Sequence, residues 1–124
     1  MEAGTAPGRD GLGELIGLEY LDSGPDEVRA RIEVTDEVRQ PVGLVHGGVF
    51  AAIAHDLVGR AAEGRRATVL SNQTSHLRPV FEGEIRAVAV RRHRGRSTWV
   101  WEVEMTDDRH QLCAFSRVTI ALHD

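Results

Sequence analysis

The chain has 124 residues, enough for one domain with a real core, and its 41% hydrophobic and 27% charged residues are ordinary for a globular fold. A net charge of −4 speaks against a general nucleic-acid surface. No apolar run approaches the roughly 20 residues needed to cross a bilayer, so no membrane partner is expected. The lone cysteine, Cys113, cannot form an intramolecular disulfide, which points to a reducing, cytoplasmic setting.

Residues 1–14 read as a flexible lead, because "MEAGTAPGRDG" lacks the basic-then-apolar pattern of a leader peptide. Residues 15–124 read as a single domain. "GLGELIGLEY" can hold a short helical turn before an extended start. In "EVRARIEV", Val28, Ala30, Ile32 and Val34 alternate with Arg29, Arg31 and Glu33, the pattern of a half-buried strand. The turn "SGPDE" precedes it, so about 16–34 predicts a hairpin. The polar loop "RQPVGLVHGG" then opens into a helix over 47–63, closed by Gly64. Val49, Ile53, Leu57 and Ala61 recur every fourth residue, and the many alanines predict burial on most sides. Four strands follow at about 68–79, 84–94, 98–106 and 111–122, with turns at "EGE", "RGRS" and "DDRHQ". The order is hairpin, one long helix, antiparallel meander, an α+β arrangement. Trp99 and Trp101 share one strand face, and the sheet's outer face reads as too apolar to be fully wet. That predicts a homo-oligomer.

Two features carry chemistry. Gly47 and Gly48 stand at a helix entrance, where unpaired amides and the helix dipole favour negative charge and glycine admits a close ligand. Further on, "VRRHRGRS" concentrates arginine at a strand end and turn. Regular alternation there puts Arg92 and Arg94 on one face and Arg91 and His93 on the other, and arginine forks suit phosphates. The blander readings are a tight turn for the glycines, a capping role for His46 and a solvated hairpin tip for the arginines. The six histidines are scattered with no pair at ligand spacing on one helix, so no metal is expected.

Three segments, in order, carry a resemblance: "RQPVGLVHGG" (39–48), "SHLRPVFEGEIRAVA" (75–89) and "DDRHQLCAFSRVTIAL" (107–122). Together they resemble the hotdog-fold acyl-CoA thioesterases, in the branch of the hydroxybenzoyl-CoA and dihydroxynaphthoyl-CoA thioesterases. The likeness covers nearly everything beyond residue 14. It implies one long central helix wrapped by a five- to six-stranded antiparallel sheet, and a homodimer or homotetramer with active sites at the dimer interface. It implies an acyl-CoA substrate with an aromatic or bulky acyl group, with coenzyme A as part of the substrate and no other cofactor.

Residue by residue, the resemblance implies Gly47 as the oxyanion-binding amide, His46 beside the thioester, and Gln40 positioning the carbonyl or the attacking water. Gly48, Asp56, Gly59, His76 and Arg78 would line the substrate, His76 and Arg78 from a neighbouring subunit. Arg91, Arg92, His93, Arg94, Arg96 and Ser97 would hold the nucleotide end of CoA.

One departure stands out. Nine residues after the "HGG" histidine the family carries a carboxylate, and here that position is His55; the carboxylate, Asp56, comes one residue later. One residue is about 100° of helix, so Asp56 does not simply inherit the same pocket; outside it, Asp56 is expected to pair with Arg60 at i+4 or to lie at a subunit contact. The family's next polar pocket residue is replaced by Gly59. Three readings follow. His55 serves as general base or nucleophile. Or the chain is a natural or engineered variant with redirected chemistry, a hydratase-like lyase or a non-catalytic acyl-thioester binder. Or His55 is a satisfied core histidine.

Overall fold

The computed structural model describes residues 12–62 and 64–123. Most of the expected 1–14 lead therefore lies outside the described residues; residues 12–14 fall in a short helix, α1 (Leu12–Leu15). The elements that follow are β1 (Glu19–Tyr20), β2 (Glu27–Glu33), a 3-10 turn (Asp36–Val38), α2 (Gly47–Ala61), β3 (Arg66–His76), β4 (Glu84–Arg94), β5 (Thr98–Thr106) and β6 (Leu112–His123). The strands form one antiparallel sheet in the order β1-β2-β4-β5-β6-β3. One long helix on six antiparallel strands is the architecture the sequence implies.

The local reasons are those of the pattern. In β2, Val28, Ala30 and Ile32 are buried and meet Ala89, Ala87 and Ile85 of β4 across the register. Alternation continues through β5 and β6, whose buried residues point at α2. In α2, Phe50, Ile53, Ala54, Leu57, Val58 and Ala61 form the buried face at helical spacing. Val49, expected in that stripe, is only partly buried. Ala62 caps the helix, and Gly64 follows with φ +80°, a left-handed conformation that glycine adopts without strain. Glu63, the expected last helical residue, lies outside the described residues.

Two expectations change. Trp99 and Trp101 face inward, each 1% exposed, and Val103 and Met105 continue that face. The tryptophans therefore belong to the core beneath α2 and do not make the outer face apolar. The second change is a bulge between Arg91 and His93: Arg91 opposes Trp101, His93 opposes Val100 and Arg94 opposes Trp99. The extra residue resets the alternation. Arg91 and Arg94 share the tryptophan face, while Arg92 turns out to Glu102.

β3 is an edge strand paired only with β6, and nearly all of it is exposed. Among the described residues, Leu70 on β3, Leu77 just beyond it, Val42 and Phe81 in loops, and Leu15 of α1 are the exposed large apolar side chains.

Candidate functional site

The loop before α2 is built from backbone bonds. Gln40 N–H donates to Leu44 O and Gly43 N–H to Gln40 O, both at 2.8 Å, and Gly43 takes a positive φ of +102°. Val45 N–H reaches Val80 O at 2.7 Å, and His46 N–H reaches Val38 O at 2.9 Å. The loop is thus pinned to the 3-10 turn before it and to the segment between β3 and β4. The Gln40 side chain accepts from Val42 N–H at 2.9 Å through Oε1, which orients its amide and leaves the NH2 group to donate elsewhere.

His46 is the N-cap of α2, and its Nδ1 accepts from Gly48 N–H at 3.3 Å. The Gly47 amide takes no part in that cap. His76 Nε2 lies 3.1 Å from Gly47 O, and its ring meets Phe50 edge-on with centroids 5.7 Å apart. A Cβ on Gly47 would sit 3.2 Å from His76 Nε2, so any larger residue there would make the His76 ring shift by a few tenths of an ångström. Gly47, Phe50, His76, Leu77, Arg78 and Pro79 line a small, mainly apolar cleft of about 280 Å³ that also touches Leu44 and Val45. His76 and Arg78 therefore stand beside Gly47 of their own chain.

Further along α2 the two titratable neighbours part. Gly48 and His55 are exposed and Ala51 and Gly59 partly so, and these four form an open stripe at helical spacing. Asp56 is 8% exposed and accepts a short hydrogen bond from the Tyr20 hydroxyl. Gly13 of α1 packs so closely on Asp56 that a Cβ there would clash with the carboxylate. Arg60, the expected i+4 partner, lies 4.1 Å over the Tyr20 ring instead. Burial, then the bond to Asp56, raises the Tyr20 phenol well above its ordinary range. Asp56, expected at the substrate, thus holds the N-terminal segment against α2. The physical reason is the 100° step that separates it from His55.

The arginine-rich hairpin also divides. Arg91 is buried; its Nε donates to Asp26 Oδ1 at 2.9 Å and its Nη2 to Pro25 O at 3.1 Å, while its guanidinium centre lies 4.4 Å from the Trp99 ring. A guanidinium so enclosed is a core contact, which corrects its expected place among the CoA ligands. Arg92 is exposed and bonds Glu102 at 2.8 Å, with Arg117 at 3.3 Å on the other carboxylate oxygen. The bond from Arg92 holds the Glu102 carboxyl below its usual range. Arg94 and Arg65 both lie over Trp99, at 5.6 and 5.7 Å. Gly95 closes the turn, donating to Thr98 O at 2.9 Å.

Residues 42–114 match the Thioesterase superfamily. The chain belongs to that superfamily. Over 98% of its length it is 33% identical to a proofreading thioesterase of Cronobacter turicensis, covering 93% of that protein. Over 90% of its length it is 35% identical to a 1,4-dihydroxy-2-naphthoyl-CoA hydrolase of Listeria monocytogenes, covering 95% of it. A thioesterase of Haemophilus influenzae has a similar solved structure, with a TM-score of 0.86, 30% identity, and 93% of this chain and 84% of that one covered. The sheet and helix are the hotdog fold, and this member of the superfamily is a thioester hydrolase of the acyl-CoA thioesterase kind.

Several site neighbours were not legible in advance. Tyr20, Asp26 and Arg65 sit in separate segments with no motif. Asn72, whose Nδ2 donates to Ala51 O at 3.0 Å and ties β3 to the open side of α2, reads in the sequence only as one polar residue of a strand.

Proposed function

We propose that this thioesterase hydrolyses CoA thioesters of aromatic or other bulky acyl groups, with His55 as the general base. The observation that carries this reading is the division at 55 and 56: His55 lies on the open stripe of α2, and Asp56 is turned away and bonded to Tyr20. Neutral imidazole takes a proton from water, the resulting hydroxide attacks the thioester carbon, and collapse of the tetrahedral oxyanion expels the CoA thiolate. The Gly47 amide, outside the His46 cap and at the positive end of the helix, is suited to the oxyanion. The Gln40 amide, oriented by Val42, is suited to hold the carbonyl or the water. His46, Gly48, Gly59, His76 and Arg78 would shape the acyl and pantetheine path, and Arg92, His93, Arg94, Arg96 and Ser97 would meet the nucleotide.

Distance supports an active site made by two copies. Eight residues of α-helix separate Gly47 from His55, about 12 Å along the axis. One reacting carbonyl must lie roughly 3 Å from both its oxyanion donor and its attacking water. A partner helix running past α2 solves this by supplying Gly47 to the His55 of this chain. The open β3 edge and exposed Leu70, Leu77 and Phe81 support at least a homodimer. We further infer a cytoplasmic enzyme needing no cofactor beyond the CoA of its substrate.

The test is thiol release from aromatic and aliphatic acyl-CoAs. His55→Ala should lose activity by roughly 10² or more. His55→Glu should retain thioester hydrolysis. A His55→Ala variant as active as the parent would make His55 a pocket wall. An inactive parent with an active His55→Glu variant would mark redirected chemistry.

A further inference from the structure

β3 changes phase part-way along. A bulge lies between Val69 and Ser71, and Val69, Asn72 and Thr74 are the residues of this strand not left exposed. Regular alternation from Val69 would turn Ser71 and Gln73 toward α2; the extra residue turns Asn72 and Thr74 there instead. Two polar side chains thus occupy the sheet face that elsewhere carries the core. Asn72 opposes Val118 and Thr74 opposes Ser116, both fully buried.

These side chains form a directed relay. Asn72 Nδ2 donates to Ala51 O at 3.0 Å; a carbonyl only accepts, so Asn72 Oδ1 is the atom left to face β6. Thr74 Oγ1 donates its one proton to that Oδ1 at 2.9 Å. Ser116 Oγ, 2.7 Å from Thr74 Oγ1, is therefore the donor between the two hydroxyls. The relay starts at a side chain closed off from water and ends on the helix backbone. Each bond fixes the direction of the next, so the Asn72 amide has one orientation.

We propose that Asn72 is a positioning residue of the hydrolysis, acting through His55. The inference rests on the reading of His55 as the general base. In α2 the Ala51 carbonyl is the acceptor for the His55 N–H, four residues on. Asn72 gives that carbonyl a second donor, on the turn that carries His55. Gly48, Ala51 and Gly59 share the open stripe with His55 and offer almost no side chain to pack. A directional bond does what packing cannot do there: it sets both the distance and the rotation of this turn against the sheet. His76 Nε2, 3.1 Å from Gly47 O, is the matching tie one turn earlier. A general base must hold its water in line with the reacting carbon, and a misplacement of about 1 Å costs up to roughly 10² in rate.

The experiment measures kcat and KM for benzoyl-CoA in the full chain, in Asn72→Ala, in His55→Ala and in the double variant. Asn72→Ala should lower kcat roughly tenfold and leave KM within about twofold, because the amide places the base and not the substrate. In the His55→Ala background the same change should make no further difference, since nothing is left to place. Thr74→Val keeps the amide and removes its lock, so kcat should fall with KM kept; Thr74→Ser, which keeps the hydroxyl, should restore kcat. Valine and serine both suit the strand, so this pair carries the test if Asn72→Ala fails to fold. An unchanged kcat in Asn72→Ala or Thr74→Val, a rise in KM alone, or an equal loss with and without His55 overturns the inference and leaves the base reading standing. A His55→Ala variant as active as the parent overturns the base reading, and the inference falls with it.

Discussion

Replacing Tyr20 by Phe removes one oxygen and little else. The ring stays, so its packing and the Arg60 guanidinium over it are retained. What goes is the hydroxyl that Asp56 accepts, and Asp56 is 8% exposed, so water cannot readily replace it. A buried acceptor left without its donor costs about 1–3 kcal/mol. Unfolding entropy near 2.1 cal/mol/K per residue gives, for 124 residues, about 0.26 kcal/mol/K, so each kcal/mol moves Tm by about 4 °C. Tyr20→Phe should therefore lower Tm by about 4–12 °C, read by circular dichroism at neutral pH. Asp56→Asn, which keeps an acceptor for the hydroxyl, should cost less, and the two changes together should cost less than their sum. The alkaline arm has a definite sign. Burial and Asp56 raise the Tyr20 phenol above its unfolded value near 10, so its contribution is present below that pH and is lost as pH rises past it. The gap between parent and Tyr20→Phe should accordingly narrow above about pH 10. A variant melting within 1 °C or so of the parent at neutral pH would refute the claim that Tyr20 is the donor that makes Asp56 tolerable.

The hairpin arginines should separate by assay. Arg92→Ala and Arg94→Ala should raise KM for acyl-CoA with little change in Tm, whereas Arg91→Ala should cost about 2–4 kcal/mol in urea unfolding, because it empties a buried site. Loss of CoA affinity without loss of stability in Arg91→Ala would contradict its core position. Cys113 should resist a disulfide-exchange reagent in the folded chain at pH 8 and react once unfolded. Burial pushes its thiol up to about 11, and its Sγ donates to Met105 O at 3.2 Å. Prompt labelling of native protein would mean that β5 and β6 part readily.

Much of the fold was legible because its signals are local. Two-residue alternation marks β2, β4, β5 and β6, and the strand ends fall within a few residues of those read from the pattern. The "HGG" entrance and the four-residue spacing mark α2, and the position nine residues after His46 singles out His55. What the alternation leaves open is which face is the core and whether its phase survives. Trp99 and Trp101 share a face in either case, but only their packing beneath α2 turns that face inward. A single bulge at Arg91/His93 exchanged the partners of four basic residues, and nothing in "VRRHRG" announces it, because a bulge answers to the strand opposite. The fate of Asp56 depended on Tyr20, 36 residues away in sequence, and the meeting of Arg66 with His123 on the β3–β6 pairing. Short-range periodicity was therefore enough to place the elements and to single out His55. Which side chains meet across them was decided by the closure of the sheet around the helix, since a contact between distant segments exists only once that closure has set their register.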